Sequence, residues 1–116
     1  MIKITIYQKP SCTTCKQVFA ILKEKNVNLD RIDYFIKPLS KEKIRMLIKK
    51  MGITSQDLLR KKEETYKSLL REKEYRTEDE WVELMAQHPE LIQRPIVEKG
   101  NAAVLARPAE NIYRIL

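Results

Sequence analysis

Between Ile2 and Leu22 the apolar residues change period, and the change falls on a pair of cysteines. Ile2, Ile4 and Ile6 alternate with Lys3, Thr5 and Tyr7, the pattern of a strand with one buried face. From Cys15 onward the spacing lengthens, and Cys15, Val18, Phe19 and Leu22 recur as on one face of a helix. Pro10-Ser11-Cys12-Thr13-Thr14-Cys15 therefore occupies the joint, with Cys12 at the helix's N-terminal end. The unpaired amides and the dipole of that end stabilise negative charge. A thiolate is such a charge, and cysteines so placed can have pKa values lowered to roughly 3.5–7.5. Cys15 stands one turn further along the same face, within reach of Cys12 for a disulfide. A redox or nucleophilic site is expected here.

Other readings of the pair are weaker. Two cysteines and the distant His88 are too few for a four-ligand structural zinc site within one chain, so no metal is expected. A structural disulfide closing so short a loop would constrain the unfolded chain very little. An inert buried thiol is the plain alternative for Cys15, which lies on the apolar face. Cys12, behind Pro10 and Ser11 at a helix start, fits that alternative less well.

The rest of the chain has to build a core around this joint. At 116 residues, 43% hydrophobic and 34% charged, it suits one soluble domain that needs no disulfide staples. No apolar run reaches membrane-span length and the N-terminus lacks the organisation of a signal peptide, so no membrane association is expected. With the CxxC pair as its only cysteines, the expected compartment is the cytoplasm. The net charge of +7 concentrates in Lys37–Lys50, where six basic residues accompany Glu42 alone, and in Arg60–Arg76. Solvated helix faces account for such runs by default. A basic surface also draws anions, whether nucleic acid, an acidic protein or a small oxyanion. The absence of a glycine-rich RNA-binding motif, and of aromatics interleaved with basic residues, disfavours direct nucleic-acid binding.

Taken in order, the first helix is expected from Thr13 to about Lys25, ended by Asn26. Ile32, Tyr34 and Ile36 then alternate with Arg31, Asp33 and Phe35 as a second strand. Strand, helix and strand make a βαβ unit with parallel strands. Ser40 is placed to cap a helix carrying Ile44, Leu47, Ile48 and Met51, which Gly52 stops. Thr54 with Asp57 starts another, carrying Leu58, Leu59 and Arg60. Residues 61–76 have no clear period, and Tyr66, Leu69 and Leu70 suggest a short packed piece. Thr77 and Glu80 form a capping box before Trp81, Leu84 and Met85, in a helix ending near His88-Pro89. Arg94–Glu98, the turn Lys99-Gly100-Asn101 and Ala102–Leu105 read as an antiparallel hairpin. Pro95, opening a strand, suits an edge position or a cis bond. Arg107-Pro108 begins a final helix with Ile112, Ile115 and Leu116 inward. No repeat or linker divides the chain. Residues 1–116 are expected as one α/β domain, a βαβ half and a ββα half around a mixed sheet, with a helical insertion at about 40–88.

That architecture, with a CxxC after the first strand and a proline opening the third, resembles the thioredoxin fold. More narrowly, the chain resembles the glutaredoxin-coupled arsenate reductase (ArsC) family, whose superfamily includes Spx-type transcription regulators. The resemblance covers essentially the whole chain. It is carried by Ile4-Thr5-Ile6-Tyr7 before Pro10-Ser11-Cys12, by Asp57-Leu58-Leu59-Arg60 with Tyr66, by His88 to Val97, and by Arg107-Pro108-Ala109-Glu110. It implies that Cys12 attacks arsenate and that Arg60, Arg94 and Arg107 hold the oxyanion and its covalent adduct. Guanidinium groups suit that task, because they offer several donors in a planar fork and never lose their charge. No bound cofactor is implied. Reducing equivalents would come from glutathione and glutaredoxin, or from thioredoxin.

Two departures from the family pattern bear on mechanism. Many members have a histidine-containing approach to the cysteine, where this chain has Gln8-Lys9. Many reductases lack a cysteine at the position of Cys15 and form a mixed disulfide with glutathione instead. Cys15 allows an internal Cys12–Cys15 disulfide, which Spx-type regulators use as a switch when they bind the RNA polymerase α subunit. Those regulators keep a counterpart of Arg94-Pro95 and use a glycine comparable to Gly52 in the polymerase contact. They generally lack the arginine corresponding to Arg107 and tend to carry a C-terminal extension. Arg60 and Arg107 together favour the reductase.

Overall fold

A computed structural model describes residues 3–116 of the chain. The chain divides into two compact units. One holds the chain up to Lys37 and again from Arg94 to Leu116, and the other is Pro38–Gln93.

The first unit is built on a four-stranded sheet. Strand β1 (Lys3–Gln8) runs into helix α1 (Thr13–Glu24), and strand β2 (Asn28–Asp33) returns parallel to β1, pairing Lys3 with Asn28 through Gln8 with Asp33. Ile2, expected on the buried face of the first strand, lies outside the described residues. Strands β3 (Ile96–Lys99) and β4 (Ala102–Leu105) form the expected hairpin, and β3 pairs antiparallel with β1, giving the order β2-β1-β3-β4. This is a thioredoxin-like sheet, βαβ joined to ββα. Asn26, at the end of α1, takes a positive φ of 51°, which asparagine tolerates better than most residues.

The core of this unit lies on one face of the sheet. Ile4 and Ile6 of β1, Val97 of β3 and Val104 of β4 pack with Val18 and Leu22 of α1 and with Ala109 and Ile112 near the C-terminus. Each valine, leucine or isoleucine so buried contributes roughly 1.5–3 kcal/mol of transfer free energy. Within the sheet, the Tyr7 hydroxyl donates to Glu98 Oε1 at 2.7 Å in a buried pair.

Three sequence expectations are corrected here. The second strand spans residues 28–33 rather than 31–36, because the chain turns at Asp33. The carbonyl of Asp33 accepts from the amides of Ile36 and Lys37, and its carboxylate accepts from the Phe35 amide, so Ile36 is left 83% exposed. Pro95 immediately precedes β3 rather than opening it, and its carbonyl accepts from the Ala106 amide at 2.9 Å. The final helix is a 3-10 helix, Ala109–Arg114, with Pro108 at its N-cap; Ile112 is buried, but Leu116 is 40% exposed and does not pack inward. The Arg94-Pro95 and Arg107-Pro108 bonds are both cis.

The second unit is helical. Helix α2 (Lys41–Met51) is capped by Ser40 and ended by Gly52 in the left-handed conformation, φ 67°. The Thr54–Asp57 capping box opens only one turn, α3 (Ser55–Leu58), so Leu59 and Arg60 lie beyond it. The segment without clear period contains helix α4 (Glu64–Glu72), which buries Leu69. Helix α5 (Glu78–Gln87) starts at the Thr77–Glu80 capping box, and a 3-10 turn, Pro89–Leu91, follows it. Several residues of the basic runs are paired on these surfaces: Lys41 with Asp79 and Glu83, Arg45 with Asp79, Arg71 with Glu64, and Lys73 with Glu80. Among the described residues, no helix is long and apolar enough to cross a membrane.

Candidate active site

Cys12 is the N-cap of α1. A tight turn delivers it there, closed by the Cys12 amide donating to the Lys9 carbonyl at 2.9 Å, and its own carbonyl starts the helix by accepting from Lys16. Its Sγ takes the place that a serine or aspartate oxygen takes in an ordinary cap, accepting from the Cys15 amide at 3.4 Å. Both thiols are free; Cys12 is half-buried and Cys15 is fully buried.

Their environments push them in opposite directions. Partial burial opposes ionisation of Cys12, but hydrogen bonds from Cys15 and from the Thr14 amide, with the Arg94 charge, hold its pKa below that of an ordinary thiol. Cys15 is pushed up to about 12, first by burial and then by hydrogen bonding to Cys12. One thiol is a nucleophile in waiting. The other is kept protonated.

Arg94 and Arg107 stand beside this pair. Arg94 is only 9% exposed, and among the described residues its Nε and Nη1 have no hydrogen-bond partner. Arg107, on the surface, donates through Nη1 to Thr14 Oγ1 and to the Arg94 carbonyl, each at 3.3 Å. The Arg107 side chain thus ties the first turn of α1 to the segment leading into β3. A buried cation with open N–H groups is costly unless something fills them. A tetrahedral oxyanion has the charge and the acceptor oxygens to do so.

The structure thus brings four of the expected site residues, Cys12, Cys15, Arg94 and Arg107, into one unit. Arg60 belongs to Pro38–Gln93, where its amide donates to the Leu91 carbonyl at 2.8 Å and its Nε to Glu63 at 3.2 Å. Gln8 is buried, and with its amide oxygen turned toward Arg31 it accepts from Nε and Nη2 at 3.1 and 3.2 Å.

Three residues of the site escaped the sequence reading. Thr14 was visible only as a residue between the cysteines. Lys9 and Phe35 meet through space, with the Lys9 ammonium 4.7 Å and the Arg94 guanidinium 5.6 Å from the centroid of the Phe35 ring. The one available signal was Asp33 two residues before Phe35, which marks an Asx turn rather than a continuing strand.

The chain is similar to known proteins over essentially its whole length. A profile of the ArsC family matches residues 7–115. An arsenate reductase of Acidiphilium multivorum is 37% identical over 116 residues, covering all of this chain and 82% of its own length. An arsenate reductase of Escherichia coli is 35% identical over the same span, again with 82% of its length covered. The solved structure of an arsenate reductase from Vibrio cholerae superposes with a TM-score of 0.93 at 31% identity, covering 99% of this chain and 98% of that one.

Proposed function

The chain belongs to the ArsC family, and we propose that it reduces arsenate to arsenite with Cys12 as nucleophile and Cys15 as resolving thiol. The reading rests above all on Arg94, a buried guanidinium whose Nε and Nη1 have no partner among the described residues, beside a thiol whose pKa is lowered. The arsenate reductases at 35% and 37% identity support the substrate.

The chemistry balances with these groups and a solvent proton. The Cys12 thiolate attacks arsenic(V), and an arsenate hydroxyl that takes a proton from solvent leaves as water, giving a Cys12–arsenic adduct. Arg94 and Arg107 stabilise the charge on its oxygens without themselves needing to reorganise. Cys15 then attacks Cys12 Sγ as its proton passes to an arsenic-bound oxygen; the sulfur–arsenic pair stays on arsenic, which departs as arsenite. Two thiols have become one disulfide, and arsenic has gained two electrons.

A dithiol donor, thioredoxin or glutaredoxin with glutathione, then reopens the disulfide in a reducing compartment such as the cytoplasm. The place of Arg60 in oxyanion binding is carried by the resemblance of its motif alone. A second reading uses the same pair differently. Two adjacent free thiols suit a redox switch of the Spx type acting on RNA polymerase, but that role leaves the open donors of Arg94 without an occupant.

The test is a single turnover. Reduced protein mixed with arsenate should lose a pair of thiols for each arsenite formed, and Cys12→Ser should lose none. An unchanged thiol titre in the wild-type protein would overturn the proposal.

A further inference from the structure

Arg94 poses a physical problem that hydrogen bonding does not solve. Elsewhere in the chain, partly buried arginines are held by acceptors: Arg60 by the Glu63 carboxylate, and Arg76 by the Leu69 carbonyl at 2.6 Å. Arg94 Nε and Nη1 have no such acceptor among the described residues. What accompanies the guanidinium instead is the ring of Phe35, with Lys9 over the same ring. The ring is itself fixed in place. The Phe35 amide donates to Asp33 Oδ1 at 3.0 Å, and the fully buried Tyr34 stacks on the ring with centroids 5.1 Å apart.

We propose that Phe35 is the positioning residue for Arg94, holding the guanidinium by its ring face and so leaving the Nε and Nη1 donors open for an oxyanion. A π face attracts a cation through its quadrupole and takes up no N–H group. A carboxylate in the same place would steady the arginine, but it would occupy the donors and repel the incoming anion. Lys9 over the same ring adds a second positive charge, and two cations beside one ring favour an anion between or next to them. The inference rests on reading the site as an oxyanion site. It deepens that reading by assigning a role to a residue that acts through Arg94.

The test uses the full chain with sulfate as a redox-inert probe, followed by calorimetric titration, alongside arsenate turnover and the pH midpoint of Cys12 alkylation. Phe35→Leu is expected to weaken sulfate binding by about three- to tenfold. It should raise KM for arsenate more than it lowers kcat, and move the Cys12 midpoint upward as Arg94 loosens. Phe35→Trp should restore all three. In an Arg94→Ala background, Phe35→Leu should leave the midpoint where Arg94→Ala put it, since the ring acts only through that arginine. Should Phe35→Leu fail to fold, Phe35→Met supplies the same comparison with a side chain that has no π face. Wild-type sulfate binding in the ring-less variant, or a midpoint shift that persists without Arg94, would overturn the assignment. A protein that binds sulfate in a Phe35-dependent way yet leaves arsenate unreduced would uphold the assignment and overturn the reductase reading.

Discussion

The main-chain N–H of Cys15 donates to Cys12 Sγ over 3.4 Å, and the two thiols it joins are perturbed in opposite directions. A lowered pKa means that thiolate, the reactive form, is populated at lower pH. Alkylation by iodoacetamide should therefore rise through a midpoint below that of an ordinary cysteine, with Cys12 as the modified residue. Cys15, pushed to about 12, should stay unmodified across that range. Cys12→Ser should abolish the low-pH phase; its survival in that variant would mean the nucleophile is misassigned.

Cys15→Ser separates resolution from attack. The variant keeps the main-chain donor to Cys12 but loses the second thiol. It should form the arsenic adduct and stall, or, with glutathione present, accumulate a Cys12–glutathione mixed disulfide visible by mass spectrometry. Undiminished turnover with thioredoxin alone would remove Cys15 from the pathway.

Arg107 reaches both Thr14 and the Arg94 carbonyl, so its loss should affect the anion site more than the fold. Arg107→Ala is expected to weaken protection by sulfate or arsenate in a thermal melt by about tenfold in apparent affinity. Arg107→Lys should rescue only in part, because an ammonium cannot reproduce the planar fork. Arg60→Ala, tested in the same way, asks whether the motif resemblance extends to binding. Full anion protection in the Arg107 and Arg94 alanine variants would place the anion elsewhere on this basic chain.

Gly52 tests the fold apart from the chemistry. Its φ of 67° is a left-handed conformation, and a Cβ there would meet nothing within 4 Å. Gly52→Ala should thus cost only backbone energy, about 1–2 kcal/mol, read as a lower denaturation midpoint at unchanged slope. Gly52→Asn should cost less than alanine. No difference between glycine and alanine would show that the helix end relaxes.

Elements that announce themselves through bonds spanning a few residues were legible in the sequence. Ser40 with Gly52 bounded α2, and the Thr54–Asp57 and Thr77–Glu80 boxes opened α3 and α5, since each cap is a contact over three residues. The second strand was misplaced because its register is set from a distance, by pairing of Asn28 with Lys3, and because Asp33 ends it with a turn. Helix α4 lacked a start signal, as Glu63 makes no side-chain cap bond. Within the site, the cysteines and arginines were readable from motif and order. The open donors of Arg94 and their companion Phe35 were not, for an absent partner and a ring contact from Arg94 to Phe35 leave no local trace.

On the proposed mechanism, an oxyanion held at Arg94 is what oxidises Cys12. The most direct measurement exposes the reduced protein, without oxygen, to arsenate or to peroxide, and quantifies the Cys12–Cys15 disulfide by mass spectrometry. Disulfide should form with arsenate, matched by arsenite and lost in Arg94→Ala and Arg107→Ala, because only a bound oxyanion is held close to the thiolate. Disulfide with peroxide alone, together with retention of the protein by the C-terminal domain of the RNA polymerase α subunit, would contradict it.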